Sequence, residues 1–374
     1  KLELALEGGH SRRLVVHAGG AGTGRRITER LAALAAADQR IEVAEGASAV
    51  ALWSDGRRCH GVVTDAGPVR AGATVLATGG AAALWSRTTN PRGAIGAGSV
   101  IASQAGADVA DLELCQFHPT ALAAPGTPAD GLLITEAVRG EGAKLLGADG
   151  NRFIDELAPR DAVTLAVLDR MEIDGTPHVI LDLRGISEAR FPNVFEALRE
   201  AGHDPARDPV PVAPASHYVM GGVATDLDGR TSLPGLFAVG ECACNGLHGA
   251  NRLASNSLSE CFVVGARVAR AALDEEEPTG EPPEPPRWRF EPPPVETRER
   301  LWRLAGPRRR REELEQLLAD PYPLARQIAR FALAREESRG SHQRVEFPLL
   351  DPKLDGRHQV CSGPDEELRW ERWD

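Results

Sequence analysis

The chain carries the segment Gly-Leu-His-Gly-Ala-Asn-Arg-Leu-Ala-Ser-Asn-Ser-Leu at residues 246–258. It joins a glycine-rich turn to an apolar stretch with helical spacing that runs from Leu258 to Ala272. Ser, Asn and Gly at a helix start leave several backbone N–H groups able to meet an anion or a polar ring edge. Arg252 can grip a carboxylate through two parallel hydrogen bonds. We therefore predict that this segment binds both an acidic substrate and the polar edge of a cofactor.

The composition limits the classes of function that fit. A chain of 374 residues with 42% hydrophobic and 26% charged residues is typical of a globular protein of two or three domains. The net charge of −11 argues against nonspecific nucleic-acid binding, and no run of 18 apolar residues predicts a membrane span. The six cysteines lack Cys-x-x-Cys spacing, which favours a reducing cytoplasm over a disulfide scaffold, and no metal site is predicted.

Six further motifs lie in order along the chain. They are Glu7-Gly8-Gly9-His10-Ser11, Ala77-Thr78-Gly79-Gly80, Gln116-Phe117-His118-Pro119-Thr120, Thr135-Glu136-Ala137-Val138-Arg139-Gly140-Glu141-Gly142, Ala158-Pro159-Arg160-Asp161 and His217-Tyr218-Val219-Met220-Gly221-Gly222. Together with residues 246–258 they resemble the flavoprotein family of L-aspartate oxidases, succinate dehydrogenases and fumarate reductases. The resemblance is dense from residue 1 to about residue 275 and weaker near residues 335–340.

The resemblance implies an α/β (α+β) fold, in which an incomplete FAD-binding Rossmann-like domain carries an inserted capping domain and is followed by a C-terminal helical domain. The expected parts are residues 1–111 with 219–277 for FAD binding, 112–218 for the cap, 278–294 for a proline-rich linker, 295–348 for the helical domain and 349–374 for a tail. No early strand leads into a G-x-G-x-x-G turn. We expect an N-terminally truncated fragment that lacks at least one βαβ unit and part of its flavin site.

The residue pattern also predicts individual elements. Strands are expected at 13–18, 41–44, 49–54, 61–64, 73–77 and 236–240, with a hairpin turn at Asp55-Gly56, and helices at 25–37, 96–105, 295–318 and 323–335. The glycine-rich turn at 19–24 is either a second nucleotide site or a plain strand-to-helix crossover. The prolines of 278–294 predict an extended linker that is not packed, Arg308 to Arg311 a solvated helix face, and residues 350–374 a poorly ordered end in which Trp370 and Trp373 could pack.

The family resemblance also assigns substrate-binding residues. A buried dicarboxylate needs donors at both ends, and the donors implied by the matching motifs are His118, Thr135, His217 and Arg252. Glu136 would orient the neighbouring basic groups, assisted by Arg139. Arg160 matches the catalytic arginine that delivers or accepts a proton at the substrate carbon facing the flavin. Glu7 would hold a substrate ammonium group.

The implied cofactor is non-covalent FAD. The matching contacts are Thr78, Gly79, Gly80, Glu241, Ser257 and Leu258. The implied reaction passes a hydride from the substrate α-carbon to flavin N5, converts L-aspartate to iminoaspartate, and needs dioxygen or fumarate to reoxidise the flavin. It would be the first step of de novo NAD biosynthesis, with quinolinate synthase as a partner enzyme.

Two other functions remain open from the sequence. Glu7 and the amino-acid sequences of residues 116–122 and 246–258 resemble the oxidase branch of the family, whereas Met220 resembles the reductases. One alternative is therefore a succinate dehydrogenase or fumarate reductase flavoprotein subunit. The other is an inactive fragment that cannot hold FAD, which the replacement of a family Asp by Ala97 would favour.

Overall fold

The computed structural model of the chain describes residues 4–7, 10–18, 22–276, 280–364 and 366–373. Gly8 and Gly9 of the first motif, residues 19–21 of the glycine-rich turn and Pro278 of the proline-rich segment lie outside these residues. The chain forms two compact units. The first unit comprises residues 1–46 and 118–215, and the second comprises residues 47–117 and 216–374. The domain bounds expected from the sequence remain a prediction.

Short strands and helices alternate along the described residues. The strands are β1 (Leu4–Ala5), β2 (Val15–Val16), β3 (Ala49–Ser54), β4 (Cys59–Thr64), β5 (Gly67–Arg70), β6 (Thr74–Leu76), β7 (Asp108–Ala110), β8 (Cys115–Leu122), β9 (Lys144–Leu146), β10 (Val179–Asp182), β11 (Val210–Val219), β12 (Gly222–Ala224), β13 (Leu236–Ala238), β14 (Ala243–Cys244), β15 (Arg357–Ser362) and β16 (Arg369–Arg372). The helices are α1 (Thr23–Ala37), α2 (Ala97–Gln104), α3 (Ala137–Gly140), α4 (Arg160–Asp174), α5 (Pro192–Glu200), α6 (Asn256–Leu273), α7 (Val295–Leu304), α8 (Arg311–Leu317) and α9 (Pro323–Ala334).

The first unit is built on a four-stranded sheet in the order β8-β11-β10-β9. Both β10 pairings are antiparallel, and Leu181 lies opposite Val210 on one side and Leu145 on the other. Helix α4 adds Val163 and Val167, which are four residues apart and therefore lie on one helix face. These apolar side chains are fully buried together and form the core of the unit.

The core of the second unit is dominated by its last helices. Helix α9 buries Leu324, Ile328 and Phe331 at helical spacing, and this face packs with apolar residues of α7 and α8. Trp85 and Phe117 complete the cluster, with their rings edge to face at 6.1 Å. A five-stranded sheet in the order β14-β12-β7-β15-β16 lies in the same unit. The C-terminal helices are thus an integral part of this compact unit.

Two predicted local structures lead toward the expected cofactor residues. Strand β3 has the predicted bounds, and it turns through Asp55 and Gly56 into β4, where the Asp55 carboxylate accepts hydrogen bonds from the backbone N–H groups of Arg57 and Arg58. The φ of +80° at Gly56 explains why glycine occupies that turn. Strand β6 pairs in parallel with β13. Strand β6 ends shortly before Thr78, and β13 ends shortly before Glu241.

Several sequence predictions about the elements were wrong. Residues 41–44 form no strand, and the strand predicted at 13–18 is only Val15–Val16. The expected strand at 236–240 ends at Ala238 and is followed by a 3₁₀ turn. The region expected to form one helix, 295–318, contains two helices, because Gly306 and Pro307 interrupt it.

Three regions expected to be exposed or loose are packed. Residues 280–294 of the proline-rich segment form no helix or strand, but the Pro283 carbonyl accepts a hydrogen bond from Trp53 Nε1 at 2.9 Å. Arg309 is fully buried and donates to the Glu113 carbonyl at 2.7 Å, so it is not part of a solvated helix face. The predicted poorly ordered end instead contributes strands β15 and β16 to the sheet. Each of these contacts joins residues more than 180 positions apart, except the β15–β16 hairpin, so the local pattern did not reveal them.

We expect Trp85→Phe to destabilise the protein. Trp85 is fully buried, and its Nε1 donates to the Ala305 carbonyl at 2.9 Å, so the substitution removes a hydrogen bond and leaves a buried acceptor. The free energy of unfolding, measured by urea titration, should fall by about 1–3 kcal/mol. Trp288→Phe is the control, because Trp288 is 37% exposed and should change stability by less than about 0.5 kcal/mol. Equal effects of the two substitutions would contradict this assignment.

Candidate functional site

The first unit places one buried carboxylate between two arginines. Glu136 comes just before the short helix α3, and Arg160 is the first residue of α4. Glu136 Oε2 accepts a hydrogen bond from Arg160 Nε at 2.6 Å, while Glu136 Oε1 lies 3.5 Å from Arg139 Nη2. All three side chains are buried. The sequence predicted that Glu136 orients neighbouring basic groups, and the structure shows contacts of that kind with Arg139 and Arg160.

Burial of this cluster shifts the pKa of Arg139. Loss of water lowers the pKa of Arg139, and the positive charge of Arg160 lowers it further, while Glu136 acts in the opposite direction. The Arg139 guanidinium is also held by the Glu156 carbonyl, to which its Nη1 donates. Within the described residues, Arg139 Nη2 and Glu136 Oε1 have an ion-pair contact but no hydrogen-bond partner. The cluster therefore has polar capacity for a further group.

The other residues predicted in the first unit occupy different surroundings. Glu7 is buried, and its Oε1 lies 3.5 Å from His17 Nε2. His118 is buried in β8, with its Nδ1 facing the backbone N–H and hydroxyl of Thr120. Thr135 is half-buried directly before Glu136. His17 was not foreseen, since a single histidine in a short strand–turn region carries no pattern.

In the second unit, several groups around Arg252 hold the segment of residues 246–258. Gln116 Nε2 donates to the Arg252 carbonyl at 2.7 Å and to Asn251 Oδ1 at 2.9 Å. The Arg252 side chain donates from Nη2 to Ser257 Oγ at 2.7 Å. Its guanidinium lies over the Tyr218 ring, 4.5 Å from the ring centroid. Arg252 thus has a defined position in the unit that carries it.

His217 is oriented by residues that the sequence did not single out. Its Nδ1 lies 2.7 Å from Thr89 Oγ1, and its backbone carbonyl accepts a hydrogen bond from Asn90 Nδ2 at 2.6 Å. These residues lie 127–128 positions earlier in the chain, at a bridge between Thr88 and Ser216. A hydrogen bond to one ring nitrogen of an imidazole determines which nitrogen carries the proton and holds the ring in one direction. Only the tertiary structure reveals these partners.

The expected cofactor residues include a close approach of Gly80 to Glu241. A Cβ atom placed on Gly80 would lie 2.1 Å from Glu241 Oε1, so a side chain at this position would require the Glu241 side chain to move. Glu241 Oε1 also accepts a hydrogen bond from the Val219 backbone N–H at 3.1 Å. Burial raises the pKa of Glu241 to about 7. A partly desolvated carboxylate beside a bare backbone suits a ligand with hydroxyl donors and a flat ring, so these residues fit part of FAD.

The remaining predicted cofactor residues differ in their environments. Thr78 and Gly79 are exposed after β6, and Gly79 has a φ of +73°. Ser257 Oγ is engaged by Arg252, and Leu258 is 39% exposed at the start of α6. Helix α6 begins after Ser255, whose φ is +62°. The structure thus brings Gly80 together with Glu241 and Ser257 with Arg252.

Comparisons with known proteins show the family to which the chain belongs. Residues 1–258 match the family described as FAD binding domain, and residues 308–370 match the family described as Fumarate reductase flavoprotein C-term. An L-aspartate oxidase of Caulobacter vibrioides is 44% identical over 395 residues, which covers 95% of this chain and 76% of that protein. The chain belongs to the flavoprotein family that includes the L-aspartate oxidases. The predicted family and its FAD cofactor are thereby confirmed.

Other members of this flavoprotein family show the extent of the match. An L-aspartate oxidase of Nostoc sp. is 48% identical over 291 residues, covering 72% of this chain but only 49% of that protein. The chain therefore spans about half the length of that relative. The solved structure of E. coli quinol fumarate reductase FrdA has a TM-score of 0.84 at 27% identity and covers all of this chain and 78% of that one. This similarity confirms the predicted α/β flavoprotein fold.

A further solved member comes from Mycobacterium smegmatis. Its Sdh1, in complex with UQ1, has a TM-score of 0.78 at 29% identity and covers 99% of this chain and 76% of that one. Within the described residues, no helix is both long enough and apolar enough to cross a membrane. The same residues contain no group of three or more His, Cys, Asp or Glu arranged to bind a metal ion.

We expect Glu136→Gln to reduce stability strongly. The amide keeps the shape of the side chain but leaves the buried Arg139 and Arg160 guanidinium groups without their shared negative charge. Removing one partner of a buried ion pair typically lowers the free energy of unfolding by about 3–5 kcal/mol. Glu188→Gln is the matched control, because Glu188 pairs with Arg199 in solvent and should cost less than about 1 kcal/mol. Denaturant titration of both variants measures the difference, and a loss as small as the control's would rule out this role.

Glu241 should give the apoprotein a pH-dependent stability. Because the pKa of Glu241 is raised to about 7 in the folded protein, the folded state binds a proton that the unfolded state releases near its ordinary value of about 4.3. The contribution is therefore present at low pH and is lost as the pH rises through about 7. Relative to Glu241→Gln, the wild type should lose free energy of unfolding between about pH 5 and about pH 8. Parallel pH profiles for the two proteins would refute the raised pKa.

Proposed function

We propose that the chain catalyses FAD-dependent oxidation of L-aspartate to iminoaspartate, with dioxygen or fumarate as the final electron acceptor. The observation that carries this proposal is the buried Glu136–Arg139–Arg160 cluster, in a chain whose relatives are named L-aspartate oxidases. The reaction would be the first step of de novo NAD biosynthesis, and its product would pass to quinolinate synthase. A cytoplasmic location fits the six free cysteines, five of them buried.

The charge of the cluster supports a carboxylate substrate. Two guanidinium groups share one carboxylate, so the three side chains carry an excess of one positive charge. The charges of Glu156 and Glu7 also act on Arg139, and a substrate carboxylate would add a further negative charge beside the two guanidinium groups. The proposal retains His118, Thr135, His217 and Arg252 as the further donors implied by the family motifs. Arg252 offers the forked geometry that matches a carboxylate.

The reaction requires a hydride to leave the substrate α-carbon and a proton to leave its nitrogen as the C=N bond forms. FAD, when bound, supplies the hydride acceptor. We assign Arg160 as the catalytic residue that accepts this proton during aspartate oxidation and delivers a proton to the substrate carbon when fumarate is reduced. Arginine holds its proton tightly in water, so in this role the proton must be relayed through a carboxylate in contact with it. Glu136 meets that need, with its Oε2 2.6 Å from Arg160 Nε.

Glu7 would select the amino-acid substrate. Its side chain is 5% exposed, and a buried carboxylate attracts an ammonium group more strongly than a surface carboxylate does. Succinate has no ammonium group to offer it. The cofactor would be held by Thr78, Gly79, Gly80, Glu241, Ser257 and Leu258. Of these, the Gly80–Glu241 contact is the clearest structural support.

The similarity to E. coli fumarate reductase favours a second candidate function. At a TM-score of 0.84, the fold would equally suit a succinate- or fumarate-converting flavoprotein subunit. Met220, which resembles the reductases, is buried beside Leu114 and Tyr218. A third candidate is a protein that retains the fold but does not hold FAD. One spectroscopic experiment separates these functions.

We expect L-aspartate, but not succinate, to bleach the visible absorbance of the FAD-reconstituted protein under anaerobic conditions. Glu7→Gln should require at least about tenfold more L-aspartate for half-bleaching, because the charged contact to the ammonium is lost. Competitive binding of succinate, which lacks the ammonium, should be unchanged in Glu7→Gln and serves as the control. Bleaching by succinate alone would support the reductase function, and failure to retain FAD would support the inactive protein.

A further inference from the structure

The ring of Tyr218 is packed between Arg252 and His248, which both belong to the segment of residues 246–258. The Arg252 guanidinium lies over the ring, 4.5 Å from its centroid. His248 meets that ring edge to face, with the two centroids 5.4 Å apart and the planes at 86°. Tyr218 is 6% exposed, so its ring has little room for reorientation while both neighbours are in place.

His248 is itself fixed by a buried carboxylate. Its Nε2 lies 2.7 Å from Glu260 Oε2, and both side chains are almost fully buried. The other carboxylate oxygen of Glu260 accepts a hydrogen bond from Asn245 Nδ2 at 3.0 Å. Glu260 belongs to helix α6, whereas Tyr218 belongs to strand β11. A rigid helix therefore determines the direction of the His248 ring.

We propose that Glu260 and His248 position the Arg252 guanidinium for a substrate carboxylate by holding the Tyr218 ring. They act as positioning residues, since their effect reaches the substrate only through Arg252. The electrostatic attraction of a cation to an aromatic ring acts through the face of the ring, so it depends on how that face is oriented. This inference rests on the proposed function, because that proposal assigns Arg252 to a substrate carboxylate.

The two kinds of contact on Arg252 have different roles. The hydrogen bond to Ser257 Oγ holds one nitrogen of the guanidinium. Contact with the Tyr218 face holds the plane of the group. Two parallel hydrogen bonds to a carboxylate require that plane to be correct. Loss of His248 should therefore weaken carboxylate binding even though Arg252 remains.

The test compares His248→Leu with Tyr218→Phe. Leucine removes both the edge-to-face contact and the bond to Glu260, whereas phenylalanine keeps the ring under Arg252 and serves as the matched control. Crystal structures should show the Arg252 guanidinium displaced from the ring in His248→Leu and retained in Tyr218→Phe. Calorimetric binding of succinate should weaken about tenfold in His248→Leu and less than about twofold in Tyr218→Phe. Thermal unfolding of each variant checks that it is folded.

A double-mutant cycle separates positioning from general damage. In an Arg252→Lys background the compact ammonium has no plane to align, so His248→Leu should cause little further loss of succinate binding. Additive losses, or an undisplaced Arg252 in the His248→Leu crystal, would overturn the proposal. If the wild type bound no dicarboxylate, the proposed function would fail. The crystal comparison would then still decide whether His248 positions Arg252.

Discussion

Burial of arginine constrains how the elements of both compact units fit together. Among the described residues the buried arginines are Arg139, Arg160, Arg309, Arg335 and Arg344. A guanidinium remains protonated at ordinary pH in the resting protein. Its burial therefore requires hydrogen-bond acceptors to surround it. Each of these side chains donates to a carboxylate, a carbonyl or both. The surrounding elements must therefore fold together, because no single element supplies all the acceptors.

The two units use this requirement in different ways. In the second unit, Arg335 donates to Glu113 at 2.5 Å and to Glu337 at 3.1 Å, and Glu113 also accepts from Gln359. Carboxylates are abundant there, and the network joins the C-terminal helices and strand β15 to the rest of the unit. In the first unit, Arg139 and Arg160 share Glu136. An excess of carboxylate suits a structural junction, whereas an excess of guanidinium suits an anion site.

The segment at residues 246–258 contains an arginine held by several partners and a histidine paired with a carboxylate. Its Arg252 is held by Gln116, Ser257 and the face of Tyr218, which leaves the fork of the guanidinium with a defined orientation. Its His248 is tied to Glu260 on helix α6. The first turn of the segment packs against the C-terminal hairpin, where a Cβ on Gly246 would lie 3.4 Å from both His358 and Trp373. Residues far apart in sequence thus contact the one segment that contains Arg252.

The sequence by itself determined the family, the FAD cofactor and the local structures that depend on near neighbours. The strand at Ala49–Ser54, the Asp55-Gly56 turn and helix α2 follow from alternation, turn chemistry and apolar spacing, which act over a few residues. Only the tertiary structure decided the partners of the buried polar groups, such as Thr89 for His217 and Glu113 for Arg309. It also showed that Arg357–Ser362 and Arg369–Arg372, in a region predicted to be poorly ordered, form two strands of a sheet. The reason is physical: a hydrogen bond or ion pair depends on positions in space, and chain separation carries almost no information about those positions.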